Sequence, residues 1–385
     1  MDSAYDIHHR CAVLDAHVDI APNFATLMVD PGVSAREQVD LPKMESGGVN
    51  GAFFIVYVPQ RNRNQLSYSR VQQVAREKFD SIHRMAGQYP QRIQVATCVA
   101  DFERNLSDGR LSAFIGIENG YAIGRSLECL TEFRARGARY MTLTHNGHND
   151  IGDSAVALPE LGDADVEHGG LSEFGREVVR QMNRAGMLVD ISHSAKSTML
   201  DAVRVSQSPV FASHSCARAL VDHPRNLDDE QLDAIAKSGG VVHVTAVDAF
   251  VKQRPKEYRA SIEAIRRSLG LGEWRSERTA PGALVTLLQQ RIRDEVHARW
   301  PPATISDVVD HVDYIAERIG VEHVGLSSDF DGGGGVQGWE DSSQTTAVTA
   351  ELLVRGYTEP EIGKIWSGNL LRILDAADAL CARAC

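Results

Sequence analysis

Short apolar runs that close on a polar side chain recur along the chain. The first, residues 13–19 (Val-Leu-Asp-Ala-His-Val-Asp), ends in His17 and Asp19. Residues two apart on a strand point to one side, so this imidazole and carboxylate can converge. The glycine-led run 48–58 reads as a buried strand, and 92–99 as a further short one. The run 112–117 delivers Glu118, 139–144 delivers His145, and 187–192 ends at His193. The run 210–213 ends at His214, 241–245 adds another strand, and 323–328 delivers Asp329.

Between these runs lie helical patterns at 65–85, 127–136, 172–185, 228–237, 305–319, 343–355 and 359–376. Ser172 is placed as an N-cap, with Gly137 and Gly186 as helix stops. Residues 146–170, rich in Gly, Asp and Asn, read as a loop, and Gly332 to Gly335 as a flexible one. Residues 246–303 exceed what a connection needs. They read as helical and charged, with Trp274 and Trp300 along them, and are expected to cover one barrel end. Strand–helix alternation predicts a mainly parallel α/β sheet. With about eight such units and no Gly-x-Gly-x-x-Gly after any strand, a (β/α)8 TIM-like barrel is preferred to a doubly wound nucleotide binder. No linker divides the chain, so residues 1–385 are expected to form one domain with a helical insertion at about 250–303.

Composition changes this picture only by exclusion. The net charge of -12 argues against a nucleic-acid partner. The six cysteines (11, 98, 129, 216, 381 and 385) form no Cys-x-x-Cys pair and read as buried or idle thiols. Pairing of Cys381 with Cys385 would need an ordered, oxidised tail. The first ten residues do not form a signal peptide and no long apolar run occurs, so no membrane association and a cytoplasmic location are expected.

In a (β/α)8 barrel the catalytic groups sit at the C-terminal strand ends, where His17, Asp19, Glu118, His145, His193, His214 and Asp329 all fall. Imidazole and carboxylate without thiolate suit zinc, with manganese and iron as rivals. The set is too large for one catalytic zinc with an open position. It fits two ions that share a carboxylate and a bridging hydroxide, and hydrolysis of an amide, ester or phosphoester.

The blocks Leu-Asp-Ala-His-Val-Asp, Phe-Ile-Gly-Ile-Glu-Asn-Gly, Met-Thr-Leu-Thr-His-Asn and Gly-Leu-Ser-Glu-Phe-Gly occur in this order. Met-Leu-Val-Asp-Ile-Ser-His, Val-Phe-Ala-Ser-His-Ser, Pro-Arg-Asn, Ser-Asp-Phe-Asp-Gly and Gly-Asn-Leu-Leu-Arg follow. From about residue 13 to 374 the chain resembles the membrane (renal) dipeptidase family, binuclear zinc peptidases of the amidohydrolase-like barrels. It looks like a soluble bacterial-type member, because the signal and lipid-anchor tail of the animal members have no counterpart. The insertion at about 250–303 is longer than theirs and is expected to shape the substrate pocket or a subunit contact.

The resemblance implies two Zn2+ ions, one on His17 and Asp19 and the other on His193 and His214, with Glu118 bridging. It implies that His145 stabilises the oxyanion, that Arg225 grips the substrate's terminal carboxylate, and that Asp329 passes a proton to the leaving amine. Asp331 is left a supporting role. Without the resemblance, Arg225 after Pro224 reads as a solvated surface charge, and spacing does not choose between Asp329 and Asp331. Asp15, Asp190 and Asn119 are expected to support the ligands from behind, while His148, His223 and His243 receive no role. The expected function is hydrolysis of small dipeptides by a homodimer. The alternatives are a related amidohydrolase for N-acyl amino acids, lactams or lactones, and a metal-binding barrel that has lost catalysis.

Overall fold

The computed structural model describes residues 3–34, 36–272 and 282–384. Trp274 and Cys385 lie outside the described residues. The strands are β1 (Leu14–Asp19), β2 (Gly51–Tyr57), β3 (Ile93–Val95), β4 (Leu111–Glu118), β5 (Ala138–Thr142), β6 (Leu188–Asp190), β7 (Val210–Ala212), β8 (Val241–Thr245) and β9 (Val324–Ser327). All pairings are parallel, in the order β1-β2-β4-β5-β6-β7-β8-β9. The expected strand at 92–99 is three residues long and lies off this ring, paired only with β4. From Val99 the chain turns helical.

The ring closes just beyond β9. Val18 and Phe330 form a parallel bridge, the Asp19 N–H donates to the Phe330 carbonyl (2.9 Å), and the Asp329 N–H donates to the His17 carbonyl (3.1 Å). Closure of the (β/α)8 barrel therefore runs through residues singled out by their chemistry.

The strands are apolar on both faces because helices cover the outside and a separate core fills the inside. Inside stand Leu14, Ala16, Phe53, Phe114, Tyr140 and Phe211. Their rings form a plug: Phe53 stacks on Phe114 at 4.9 Å and lies 5.0 Å from Tyr140, which meets Phe211 edge-on at 5.1 Å. Gly116 makes this possible, since a Cβ there would come within 2.3 Å of the Tyr140 ring.

Ser172 caps Glu173–Arg184 by accepting from the Gly175 N–H, and Thr304 forms a capping box on Ile305–Ile319. The last expected helix is broken differently: Glu359–Gly363 passes through a π turn at Lys364–Gly368 into Asn369–Ala384. Helices Ala4–Arg10 and Leu41–Ser46 escape the hydrophobic pattern, being less than two turns long. In the 246–303 stretch, Lys256–Ser268 and Gly282–Arg291 are helical, and Tyr258, Ile265, Leu271, Leu288 and Val296 make a small core of their own.

His311 is fully buried against the backbone. Its Nδ1 accepts from the Ala217 N–H (3.0 Å) and its Nε2 faces the Val251 carbonyl (3.3 Å), an arrangement that suits only the neutral ring. Burial pulls its pKa from 6.5 down to about 4. As pH falls through 6.5 the unfolded chain takes up this proton and the folded one does not, so stability is lost. By about pH 5 the loss from this one ring is about 2 kcal/mol. Denaturant titrations of the metal-free protein near neutrality and near pH 5 check it. His311→Gln keeps a donor and an acceptor and should lose that much less between the two conditions.

Candidate metal centre

The sequence-predicted residues come together at the C-terminal end of the barrel. His17 and Asp19 lie at the end of β1, and Glu118 is the last residue of β4. His145, His193 and His214 lie two or three residues past β5, β6 and β7, and Asp329 two past β9. Glu118 Oε1 is the common neighbour. It stands 3.3 Å from His193 Nε2, 3.6 Å from His214 Nε2 and His145 Nε2, and 3.9 Å from His17 Nε2. Tetrahedral ligands about 2.1 Å from one ion lie about 3.4 Å apart, so these spacings suit groups sharing a cation better than groups bonding one another. Three sets each have ligand atoms within 4.8 Å of one another: His17, Glu118 and His214; Glu118, His145 and His193; His17, Asp19 and Asp329.

The tautomers agree with this. The Tyr140 hydroxyl donates to the Ala16 carbonyl (3.1 Å), so it accepts from His17 Nδ1–H (3.0 Å) and leaves Nε2 with its lone pair. Ser213 Oγ donates to Asp190 Oδ2 (2.6 Å) and accepts from His214 Nδ1–H (2.7 Å), with the same result. Asn146 Oδ1 accepts from His193 Nδ1–H at 3.2 Å. Burial, aided by the Arg225 charge and neighbouring imidazoles, holds His193 and His214 well below the usual range and hence neutral. Two of these buried polar atoms, His17 Nε2 and Asp19 Oδ1, have no hydrogen-bond partner. An uncompensated buried donor set of imidazole nitrogens and carboxylate oxygens fits a divalent cation.

His145 differs in exposure. Its side chain is 15% exposed, against 0%, 8% and 2% for His17, His193 and His214, and its ring lies on that of His193 at 4.1 Å. It stands at the mouth. Asp329 Oδ1 is 3.9 Å from His17 Nε2, and burial is the main cause pushing its carboxyl up to about 7, with Asp19 and Glu118 adding repulsion. Among the described residues the non-glycine positions with positive φ are Ala25, Asn119, His193, Asp329 and Asp331, and all but Ala25 border this site.

Arg225 corrects the surface reading. It is 4% exposed, its Nη2 donates to the His214 carbonyl (3.2 Å), its Nε has no partner, and the Phe250 ring lies 5.3 Å away. Burial lowers its pKa to about 10, while Glu118 and Asp329 work to keep it charged. With His193 and Ser194 it lines an open cleft of about 230 Å3.

The supporting residues are in place. Asp15 accepts from the His17 N–H (3.1 Å) and the Ser328 N–H (3.0 Å), and burial pushes it up to about 6. Asp190 takes bonds from Thr142, Ser192 and Ser213, and Asn119 bonds Val58, Gln60 and Tyr121. His148 and His243 make backbone hydrogen bonds, and His223 Nδ1 accepts from the Arg225 N–H. Tyr140, Ser213 and Asn146 escape sequence reasoning. Their only signal is a hydroxyl or amide in or next to a strand whose neighbour is a histidine.

A parallel barrel with buried imidazoles and carboxylates converging at its strand ends defines the class, a metal-dependent hydrolase. The chain belongs to the membrane dipeptidase family (peptidase family M19), whose model matches residues 1–384. It is 33% identical over 343 residues to the dipeptidase aclJ of Aspergillus oryzae, covering 88% of this chain and 69% of that one. The fold matches the probable dipeptidase PvdM of Pseudomonas aeruginosa with TM-score 0.86, 28% identity and 98% of each chain covered. It also matches a metallopeptidase of Rhodobacter sphaeroides, solved with a phosphinate mimic of L-Ala-D-Ala, with TM-score 0.74 and 26% identity over 95% of this chain and 99% of that one. The family and its dipeptidase relatives make this protein a hydrolase acting on peptide bonds. Among the described residues no helix is long and apolar enough to cross a membrane.

Removing the Tyr140 hydroxyl takes away what orients His17. Tyr140→Phe should weaken metal binding about 10- to 100-fold in competition with a chromophoric chelator, at unchanged fold by circular dichroism. An unchanged affinity would show that the hydroxyl does not set the ligand.

Proposed function

We propose that the protein is a dipeptidase using two zinc ions, and that a buried guanidinium beside the metal centre selects a free C-terminal carboxylate. The observation that carries this reading is the placement of Arg225, one hydrogen bond from the His214 backbone, buried with its Nε unpartnered, and lining a cleft together with His193. In this reading His17 and Asp19 hold one ion, His193 and His214 the other, and Glu118 both. When bound, the ions would supply Lewis acidity and a water acidic enough to attack near neutral pH.

The chain's own groups do the rest. Arg225 pairs with the terminal carboxylate through two N–H donors, which satisfies its buried charge. This fixes the scissile carbonyl, and His145 at the mouth donates to its oxygen as negative charge develops. Asp329 takes a proton from the attacking water and gives it to the departing amine. The grip on one end and the metal centre at the other limit the substrate to about two residues. The relative solved with an L-Ala-D-Ala mimic makes that dipeptide a natural first substrate, including its D-residue. The same reading takes the chain as one domain with a helical insertion and as a homodimer.

L-Ala-D-Ala and L-Ala-L-Ala, each with its C-terminal amide, test this with zinc-loaded protein. Release of free alanine from the acids only, lost on chelation and restored by zinc, is expected. Arg225→Met should raise KM on the order of 100-fold, the scale of an unpaired buried charge. Equal cleavage of acids and amides removes the carboxylate grip. Cleavage of neither, with turnover of an N-acyl amino acid or a lactone, moves the assignment to the wider amidohydrolase reading.

A further inference from the structure

Asp329 and Asp331 sit at φ 55° and 57°, in the left-handed region that side chains disfavour. Part of what holds them lies within the loop. The Asp329 carbonyl accepts from the N–H groups of Gly332 (3.0 Å), Gly333 (3.1 Å) and Gly334 (2.8 Å). The rest comes from barrel closure, where the Asp329 N–H donates to the His17 carbonyl (3.1 Å), from the Gly335 N–H, which donates to the Ala246 carbonyl (2.9 Å), and from the connection after β1. Gln38 Oε1 accepts from the Asp331 N–H (2.8 Å), and its Nε2 donates to the carbonyls of Gly334 (2.9 Å) and Glu340 (2.7 Å). In return, the Asp331 carboxylate accepts from the N–H groups of Gln38 (3.1 Å to each oxygen) and Val39 (3.2 Å).

Two glycines show how closely this loop is fitted. A Cβ on Gly335 would lie 2.7 Å from Gln38 Nε2. A Cβ on Gly332 would lie 2.1 Å from Asp329 Oδ1 and 2.4 Å from Asp19 Oδ2. The loop is thus bound to Gln38 on one face and abuts both carboxylates on the other. A cleft of about 290 Å3 bordered by Arg36, Gln38, Gln289, Gly334, Gly335 and Glu340 runs beside this part of the loop. Hydrogen bonds hold the loop there.

We infer that Gln38 and Asp331 form a positioning pair that sets the place of Asp329 for proton transfer to the leaving group. This rests on the dipeptidase reading above. The Gln38 side chain bonds Asp331, Gly334 and Glu340, none of them a member of the metal-ligand set, and so acts through the loop. A carboxylate displaced by about 1 Å costs on the order of 100-fold in rate.

The test uses the zinc-loaded full chain with Gln38→Ala, and Asp331→Asn as an isosteric second variant should the first fold poorly. Three readouts are compared with wild type. Dipeptide kcat should fall 10- to 100-fold with KM changed less than threefold. The depsipeptide analogue should lose about threefold to tenfold less than the dipeptide, because Asp329 takes the water's proton in both reactions but an alcohol departs with less proton assistance than an amine. In hydrogen–deuterium exchange, the amides of Gly332, Gly333 and Gly334 should exchange at least tenfold faster, with β4 unchanged. Equal losses on amide and ester, or wild-type kcat in both variants, overturn the inference, as does unchanged exchange of the glycine amides. Wild-type protein that cleaves neither substrate overturns the dipeptidase reading instead, and the exchange result still decides whether Gln38 holds the loop.

Discussion

Several lone pairs must face one small buried volume with no proton between them. That constraint organises the site. An imidazole carries its proton on either nitrogen, so a buried histidine is a usable ligand only when its other nitrogen has an acceptor. Tyr140, Asn146 and Ser213 each provide one, to His17, His193 and His214. Two of the three are themselves committed, since Tyr140 donates to Ala16 and Ser213 to Asp190, so their direction is not free to reverse. The aromatic plug inside the barrel therefore has a chemical task besides filling space. It brings the Tyr140 hydroxyl to the height of His17, and Gly116 leaves room for the ring.

The barrel's last pairing and its reactive end are the same piece of chain. His17, Asp19 and Asp329 carry hydrogen bonds of the closure on their backbones while their side chains face the site. Asp15 spans the same junction by accepting from the His17 and Ser328 N–H groups. Strain gathers here too, with Asp329 and Asp331 left-handed and Gly332 pressed against two carboxylates. Such strain persists only where the surroundings over-determine the backbone. Closure supplies that from one side, and the loop after β1 from the other.

What was legible in the sequence follows from what local pattern encodes. A strand buried on both faces reads as an apolar run, and a polar residue at its end stands out, so each residue of the cluster could be named. The order of the ring also followed from strand–helix alternation. Periodicity could not tell β3, paired only at its edge with β4, from a member of the ring. By local pattern Tyr140 is one more large strand residue, because its value lies in a hydroxyl meeting a histidine more than a hundred positions away. Arg225 after a proline looked solvated. Its burial depends on packing near Phe250 and on the His214 carbonyl, both set by tertiary structure.

That burial bears on selectivity. A guanidinium taken out of water is costly unless paired, and among the described residues Arg225 has a carbonyl, a ring face and the more distant charges of Glu118, Asp329 and Asp190 to steady it. On the proposed reading, cations at the site would draw on those same carboxylates and leave Arg225 less compensated than before. A substrate that brings its own carboxylate resolves the imbalance, whereas one ending in an amide leaves it in place. On that reading, discrimination arises from a cost built into the fold around Arg225, which a substrate with a free carboxylate removes.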